Sequence, residues 1–388
     1  MMNLTTVLCQ PYALFATVAM LRPMKVSTLV DFFDRLYPFA LAEDWDNVGL
    51  IVGDSKAEVT GVSFCLDVTH DVLDEAIEAG CNVIVTHHPV IFRSIKRLNS
   101  AELQGGLVAK AFQNGVSLIA LHTNLDSAIG GLNDTLCELL GLHDVKPLVD
   151  SGRERFYKLV VFVPADHADK VREAMCALGA GVIGDYEECS FSTAGEGSFR
   201  GIEGRTNPFT GTPGELEKTA ELKLEVMLRR ELAGRVIGAM VSAHPYEEVA
   251  YDLIPLHNKE AGTGLARIGK LDEITLEEFV RKVHDLGILV TRVLGDPQKA
   301  IKRVALCSGA GSDFTTYAIS QGADVYLTAE LKHHHGLAAA HKGVALVETD
   351  HYTLEQKHWP KLAALLNEQY PDLKTKVLER GPELWRRP

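Results

Sequence analysis

Short apolar runs alternate along most of the chain with segments in which apolar residues recur every three or four positions. The first such segment, MKVSTLVDFFDRLYPF from Met24, has the spacing of an amphipathic helix. EDWDNVGLIVGD (43–54) predicts a turn that leads into a strand. Further strands are predicted at 61–67, 82–88 and 117–124, and helices at 69–80, 103–115 and 132–140. Strands that alternate with helices in this way predict parallel βαβ units.

The C-terminal third repeats this alternation. Strands are predicted at KRVALCSG (302–309), ADVYLTAE (323–330) and VALVETD (344–350), with helices over 312–322 and from about His351. The two segments align at a constant offset of 242 positions, which pairs Cys65 with Cys307 and Thr86 with Thr328. This offset predicts an internal duplication in which the C-terminal strand ends of both halves face one cleft.

The middle of the chain has a different order of elements. A strand at 158–164, a helix at 166–181, a hairpin with a Gly-rich turn at 186–201, a strand at 221–230, a helix and a strand at 247–256 give the order β-α-β-β-α-β. This is the order of the ferredoxin-like split unit. The predicted fold class is therefore α/β: a duplicated βαβ core with mostly parallel sheets, interrupted by an inserted α+β ferredoxin-like domain.

The expected domain limits follow from these patterns. We assign residues 24–154 to the first half of the core, 155–262 to the inserted domain and 263–388 to the second half of the core. Residues 1–23 are interpreted as an N-terminal extension, either a loosely attached arm or a segment before the natural start at Met24. Although apolar, this extension is too short and too interrupted to span a membrane.

Composition narrows the classes of protein that the pattern allows. The chain has 388 residues, of which 46% are hydrophobic and 23% charged, as in ordinary globular proteins. Its formal net charge of −13 argues against a nucleic-acid-binding face. The seven cysteines form no CxxC pair, which favours a reducing, cytoplasmic location. Cys65, Cys81 and Cys307 lie in apolar runs and are expected to be buried free thiols.

The strongest chemical signal is VIVTHHPVIF (83–92). His87 and His88 stand at the C-terminal end of a predicted buried strand, where α/β folds bind ligands. Neutral imidazoles bind several transition metals. A pair of hydrogen-bonded surface histidines would have the same sequence, so this motif alone leaves both interpretations open.

Two further strand ends carry ligand-type residues. LHTNLDSAIGG (121–131) supplies Asp126, whose two oxygens can each bind a cation, although the residue can also cap the following helix. His122 is expected to orient Asp126 or a bound water. In ETDHYTLE (348–355), His351 and Glu355 are four positions apart and share one face of a helix. Taken alone, that spacing also suits a solvated helix face.

Three histidines and two carboxylates at strand ends predict a site for two divalent metal ions per subunit that share a bridging carboxylate and water. The ligand types accept Zn, Fe, Mn, Co or Ni. Such a pair activates water for hydrolysis. Glu330 and His333, in AELKHHHGLAAAHKG (329–343), are candidate acid/base residues at the same cleft, with an exposed helix as the alternative.

With these residues assembled, the chain resembles the NGG-one interacting factor three-like family, whose members are also called GTP cyclohydrolase 1 type 2 homologs. The resemblance covers residues 24–150 and 265–380 and rests on EDWDNVGLIVG, VIVTHHPVIF, LHTNLDSAIGGLND, VALCSGAGSDF, DVYLTAELKHH and ETDHYTLE. AHPYEEVAYDLIP (243–255) is similar to the PII or CutA-like insert of the longer members.

The resemblance implies a dinuclear metal centre in a toroidal homohexamer whose sites face an internal cavity. By motif position, the metal ligands of the family fall on His87, His88, Asp126, His351 and Glu355. It also implies a metal-dependent hydrolase that acts on a nucleotide or a related small phosphate compound, as in the opening of the GTP ring. The alternatives are a non-enzymatic, ligand-sensing metal scaffold and a regulatory protein that pairs with transcription factors.

Overall fold

The computed structural model describes residues 23–150, 154–259 and 262–378. Contacts divide these residues into two units: the chain up to Val145 together with the chain from Gly269 forms the first, and Lys146–Ile268 form the second. The limits expected from sequence for the inserted segment were 155–262. The predicted N-terminal extension lies outside the described residues except for its last position.

The helices and strands are numbered here in chain order. The helices are α1 (Val26–Leu36), α2 (His70–Glu78), α3 (Leu103–Gln113), α4 (Thr123–Ser127), α5 (Leu132–Leu140), α6 (Ala168–Cys176), α7 (Ala233–Ala243), α8 (Leu276–Asp285), α9 (Thr315–Ser320), α10 (His333–His341), α11 (His351–Glu355) and α12 (Trp359–Gln369). The strands are β1 (Gly49–Val52), β2 (Val62–Cys65), β3 (Val83–Thr86), β4 (Ser117–Ala120), β5 (His143–Asp150), β6 (Glu154–Pro164), β7 (Ser190–Phe199), β8 (Glu217–Arg229), β9 (Tyr251–Lys259), β10 (Gly264–Thr275), β11 (Val290–Leu294), β12 (Ala300–Leu306), β13 (Val325–Ala329), β14 (Ala345–Thr349) and β15 (Thr375–Val377).

The first unit contains two sheets. One has the order β1-β4-β3-β2-β15, and the other has the order β11-β14-β13-β12-β10-β5. Helices α2 and α3 cover one face of the first sheet, while its other face shares a core with strands β12, β13 and β14 and with helices α1, α5, α8 and α12. The prediction of a mixed α/β chain with several sheets is confirmed.

The two sheets repeat one arrangement of strands. In each, an antiparallel edge strand pairs with the last of three consecutive parallel strands: β1 with β4, and β11 with β14. Val62 pairs with Val83 in the first sheet, and Val304 pairs with Val325 in the second. These pairs are related by the offset of 242 positions found in the sequence, so the alignment by sequence and the strand register agree.

The second unit is a four-stranded antiparallel sheet in the order β7-β8-β6-β9. Side chains of α6 and α7 pack against one face of it. The element order is β-α-β-β-α-β, as the sequence indicates. The prediction of a hairpin within 186–201 is wrong, because Ser190–Phe199 form one continuous strand. Gly195 and Gly197 lie inside that strand and make no turn.

The cysteines that the sequence places in apolar runs are buried in the structure. Cys65, Cys81 and Cys307 are buried free thiols, as expected. Burial raises the pKa of Cys65 to about 12, so this thiol stays protonated and inert. Among the described residues, no helix combines the length and apolar character needed to cross a bilayer.

Candidate metal centre

The chemistry-bearing residues meet where three strands end. His87 and His88 directly follow β3, and His122 comes two residues after β4. His351 begins α11 just beyond β14, which belongs to the other sheet of the same unit. The carboxylates come from the short helices: Asp126 from α4 and Glu355 from the end of α11. These six residues are called the histidine–carboxylate cluster below.

Glu355 lies at the middle of this cluster. Its Oε1 is 3.5 Å from His87 Nε2, and its Oε2 is 3.2 Å from His88 Nε2 and 2.9 Å from His351 Nε2. Asp126 Oδ2 is 3.8 Å from His87 Nε2. Residues that are more than two hundred positions apart therefore converge on one small volume.

All four histidines are anchored through the same ring nitrogen. Nδ1 lies 2.8 Å from the Leu121 carbonyl oxygen in His87, 2.7 Å from Asp67 in His88, 2.8 Å from Asp46 in His122 and 2.8 Å from Glu330 in His351. A carbonyl oxygen only accepts, so Nδ1 of His87 carries a proton and Nε2 is the ring nitrogen left to bind an ion. Anchoring of this kind is typical of metal-ligating histidines.

Three of the candidate ligand atoms have no hydrogen-bond partner of good geometry. His87 Nε2, His351 Nε2 and Glu355 Oε2 are all buried and unsatisfied among the described residues. Buried polar atoms are rarely left unpaired without a function, because each costs about 1–3 kcal/mol. An ion bound between them would satisfy all three atoms, so these residues fit a metal.

The loop after β12 passes close to the Glu355 carboxylate. Gly309 has φ +60°, and a Cβ added there would lie 2.3 Å from Glu355 Oε1. Ser308 Oγ donates a 2.7 Å hydrogen bond to Asp126 Oδ1, and the Asn133 side chain donates one of 3.0 Å to the Asp126 carbonyl oxygen. The Asp126 carboxylate is thus held in place by a contact outside the cluster, and the absence of a side chain at Gly309 leaves room for that of Glu355.

The electrostatic environment favours positive charge. Burial lowers the pKa of His88, but the hydrogen bond that its ring donates to Asp67 and the nearby Glu355 carboxylate outweigh burial and raise that pKa to about 10. At His351, burial likewise lowers the pKa, but the carboxylates of Glu355 and Glu330 outweigh this effect and raise the pKa to about 9. The pKa of Glu355 falls well below its usual value, since His87 and the other histidines overcome the effect of burial.

Two overlapping groups of ligand atoms lie close enough to hold an ion. One contains His87, His88 and His122, and the other contains His88, His351 and Glu355; within each group the ligand atoms lie within 4.8 Å of one another. The structure therefore places His122, predicted only to orient its neighbours, among the side chains that can bind a metal. Asp126 stands beside the first group through His87.

The two candidate acid/base residues occupy different surroundings. Glu330 contacts the cluster through His351, and its side chain is 62% exposed. Its backbone has φ +55°, a left-handed conformation that is uncommon for a residue with a side chain. His333 is exposed in the first turn of α10. Its role in acid/base chemistry stays a prediction.

Sequence reasoning missed the residues that orient the histidines. Asp46 anchors His122 and Asp67 anchors His88. Burial raises the pKa of Asp46, but the hydrogen bond and charge of His122 bring it down to about 2. Asp67 follows the end of β2 as His87 follows the end of β3, so the rule of strand ends applied to β2 would have identified it.

An aromatic surface adjoins the cluster. The Trp45 and Phe92 rings are 5.6 Å apart, and their centroids lie 6.1 Å and 6.0 Å from that of His122. Trp45 is 58% exposed and Phe92 is 40% exposed. Large apolar rings that stay exposed beside a polar cleft are typical of ligand-binding surfaces.

Fold and cluster together define a two-unit α/β protein with a candidate metal centre in its first unit. Comparison with known families makes this more specific. The family Duf34/NIF3 (NGG1p interacting factor 3) matches residues 24–382, nearly the whole chain. The chain belongs to this family.

Individual relatives and a solved structure support this family assignment. A protein of Halalkalibacterium halodurans named "GTP cyclohydrolase 1 type 2 homolog" is 40% identical over 357 residues, covering 90% of this chain and 96% of that protein. A Bacillus subtilis protein of the same name is 37% identical, and the match covers 90% of this chain and 95% of that protein. The crystal structure of a Bacillus cereus protein related to NIF3 superimposes with a TM-score of 0.82 at 36% identity, covering 94% of this chain and 99% of that one.

Proposed function

We propose that the chain is a dinuclear metal-dependent hydrolase acting on a nucleotide or a related small phosphate compound, in the manner of a GTP cyclohydrolase 1 type 2. The observation that carries this proposal is the shared orientation of the four histidines. Each is anchored through Nδ1, and three of them direct Nε2 toward Asp126 or Glu355. The name of the curated relatives supports the choice of substrate class.

Two divalent ions would be held by His87, His88, Asp126, His351 and Glu355, with His122 as a further ligand. When bound, such ions supply an activated water and stabilise negative charge on a phosphate or carbonyl oxygen. Glu355 is suited to bridge, because its two oxygens face different histidines. Burial of Glu355 and His87 keeps bulk water from competing for the site.

Proton transfer falls to the residues at the exposed edge of the cluster. Glu330 holds the His351 ring with one oxygen and is open enough to exchange protons with a bound substrate. His333, exposed in the first turn of α10, is the second candidate for this role. Both can act only on a substrate that approaches from the solvent side.

The nucleotide part of the proposal is supported by the aromatic surface of Trp45 and Phe92. The two rings already touch, so a base would stack on their outer faces and not between them. Stacking on an aromatic side chain contributes about 1–3 kcal/mol per base. Arg93, Lys96 and Arg97 follow Phe92 and are exposed. They are available to phosphate oxygens.

We further propose that six copies assemble into a ring, as the family resemblance implies. Exposed apolar side chains in the first unit support association between copies. Leu103, for example, is 71% exposed and Phe112 is 61% exposed. Light scattering of the purified protein measures the assembly directly. A monomer at micromolar concentration would contradict this part of the proposal and leave the chemistry untouched.

The decisive experiment compares turnover by metal-loaded wild-type protein and by Asp126→Asn. GTP and a simple phosphodiester serve as substrates, and the metal content is measured on protein purified without a histidine tag. We expect turnover to fall by at least a hundredfold in the variant while its circular dichroism stays unchanged. Equal turnover in the two proteins would point to a contaminant. Metal binding without turnover would identify a non-enzymatic metal scaffold instead.

A further inference from the structure

The second unit contains a cavity of about 640 Å³, well separated in sequence from the histidine–carboxylate cluster. Phe162, Thr193, Glu221 and Lys223 line it from the sheet. These residues share one face, since Lys223 pairs with both Phe162 and Thr193 in the strand register. Their neighbours in sequence, such as Leu222 and Leu224, pack on the opposite face against α6 and α7. The cavity therefore lies on the sheet face without helices.

Three aromatic rings line the cavity: Phe199 at the end of β7, and Phe209 and Tyr246 from segments outside the strands. The Tyr246 ring centroid lies 6.2 Å from that of Phe199 and 6.1 Å from that of Phe209, at interplanar angles of 57° and 43°. All three residues line the cavity, so their rings border one region. A cation within about 6 Å of an aromatic face is attracted by the ring quadrupole.

A carboxylate stands beside these rings. The Tyr246 hydroxyl donates a 2.9 Å hydrogen bond to Glu221 Oε1. Burial and then the contact with Glu221 raise the pKa of Tyr246 to about 12, so the phenol remains a neutral donor. Gly197 lets this carboxylate lie against the strand, because a Cβ there would be 2.2 Å from Glu221 Oε2. The absence of a side chain at Gly197 in β7 thus makes room for Glu221.

The other charged groups of the cavity are largely paired. Lys223 is 2.8 Å from Glu225, Glu196 is 2.7 Å from Lys218, and the Glu247 carboxylate accepts from the backbone N–H of Asn207 at 3.0 Å. Arg200 and Glu248 also line the cavity and carry opposite charges. Glu221 differs from these groups in standing at the aromatic rings, where its Oε1 accepts the hydrogen bond from the Tyr246 hydroxyl.

From this geometry we infer that the cavity of the second unit binds a small organic cation with a substituted ammonium group. The rings of Phe199, Phe209 and Tyr246 enclose the ammonium, and the Glu221 carboxylate neutralises it. Such a ligand is chemically unlike the anionic phosphate compound proposed for the metal centre. The site would therefore serve a separate function, which stands or falls independently of hydrolysis.

Choline is the probe that tests this inference, and 3,3-dimethylbutan-1-ol, its neutral carbon analogue, is the matched control ligand. Binding to the full-length protein is measured by saturation-transfer NMR and titration calorimetry. We expect choline to bind at least about tenfold more tightly than the analogue, and Phe209→Leu and Glu221→Gln each to weaken choline binding about tenfold. Glu196→Gln, at an ion-paired carboxylate of the same cavity, should leave binding unchanged.

Tyr246→Phe keeps the ring and removes only the hydroxyl, so it separates a binding effect from a folding effect. We expect this variant to keep its melting temperature within a few degrees and to bind choline more weakly, because Glu221 loses its anchor. If the analogue bound as tightly as choline, the cavity would be a general apolar site and the inference would be overturned. Unchanged binding in both Phe209→Leu and Glu221→Gln would overturn it equally.

Discussion

Glu330 Oε1 lies 2.8 Å from Nδ1 of His351, and the Glu330 backbone adopts φ +55° at this position. A left-handed conformation costs a residue with a side chain about 1–2 kcal/mol. Uncommon backbone conformations of this kind concentrate at functional sites, where the surrounding structure maintains them. Here the strained residue is the one that fixes the ring orientation of a candidate metal ligand.

Glu330→Gly should separate stability from metal affinity. Glycine adopts the same backbone angle without steric cost, so we expect the free energy of unfolding to change by no more than about 1 kcal/mol. Loss of the carboxylate frees the His351 ring, so metal affinity should fall about 10–100-fold. Chemical denaturation and metal titration measure the two quantities.

Glu188→Gly is the matched control for this prediction. Glu188 also has φ +55°, and its carboxylate pairs with Arg172 in the second unit, far in sequence from the cluster. The control should show a similar stability change and unaltered metal affinity. If both variants lost metal equally, the effect would come from the backbone and not from the contact with His351.

Gly309→Ala tests the close approach of the loop after β12 to the Glu355 carboxylate. The new methyl group would meet Glu355 Oε1 at 2.3 Å, and neither the buried carboxylate nor the loop can move without disturbing His87 or Asp126. Gly322→Ala is the control, since Gly322 has φ +71° and a Cβ there meets nothing within 4 Å. Both should cost about 1–2 kcal/mol for the backbone, but only Gly309→Ala should abolish metal binding in an equilibrium dialysis assay.

The sequence alone predicted the parts of the site that follow from strand ends. His87, His88 and His351 each stand just beyond an apolar strand, and the four-residue spacing of His351 and Glu355 places both on one helix face. The duplicated register could be predicted because the apolar strands of the two halves keep a constant spacing. These features depend on local pattern and on the geometry of parallel sheets.

What the sequence did not predict depends on contacts between distant segments. The same offset of 242 positions places Gly309 at the position of Asp67 and Glu330 at that of His88. The two halves therefore contribute different side chains to the candidate metal centre at equivalent positions. A pattern of apolar positions does not encode this difference. The extended path of β7 through Gly197 was likewise missed, because glycine usually signals a turn, whereas here it leaves space for Glu221 on the neighbouring strand.

His358 should make stability depend on pH. It is fully buried, with Nδ1 2.8 Å from Thr135 Oγ1 and Nε2 2.9 Å from the Tyr37 hydroxyl. Burial, followed by the charges of Lys361 and His87, lowers its pKa to about 3. The unfolded chain binds a proton below a pKa of about 6.5 while the folded chain does not. Stability is therefore lost as pH falls from the unfolded value toward the folded one.

The variant His358→Gln isolates this contribution, because glutamine keeps a polar partner for Tyr37 and does not titrate. Between pH 7 and pH 5, wild type should lose about 2 kcal/mol more stability than the variant. Denaturation with chelator present in both samples measures the difference and removes any effect of metal release. A constant difference between the two proteins across this range would show that His358 titrates normally.

Trp45→Leu tests the proposed nucleotide surface without touching a metal ligand. Trp45 contributes an exposed ring beside His122, and leucine keeps an apolar side chain but removes the flat π-face on which a base stacks. We expect the Kd of the metal-loaded protein for GMP to rise about tenfold, with metal content unchanged.

Tyr186→Leu, at a tyrosine that is 75% exposed in the second unit, serves as the control and should bind GMP normally. Pyrophosphate, which has no base, should bind all three proteins alike; if Trp45→Leu weakened pyrophosphate as much as GMP, the ring would act by shaping the metal centre and not by stacking.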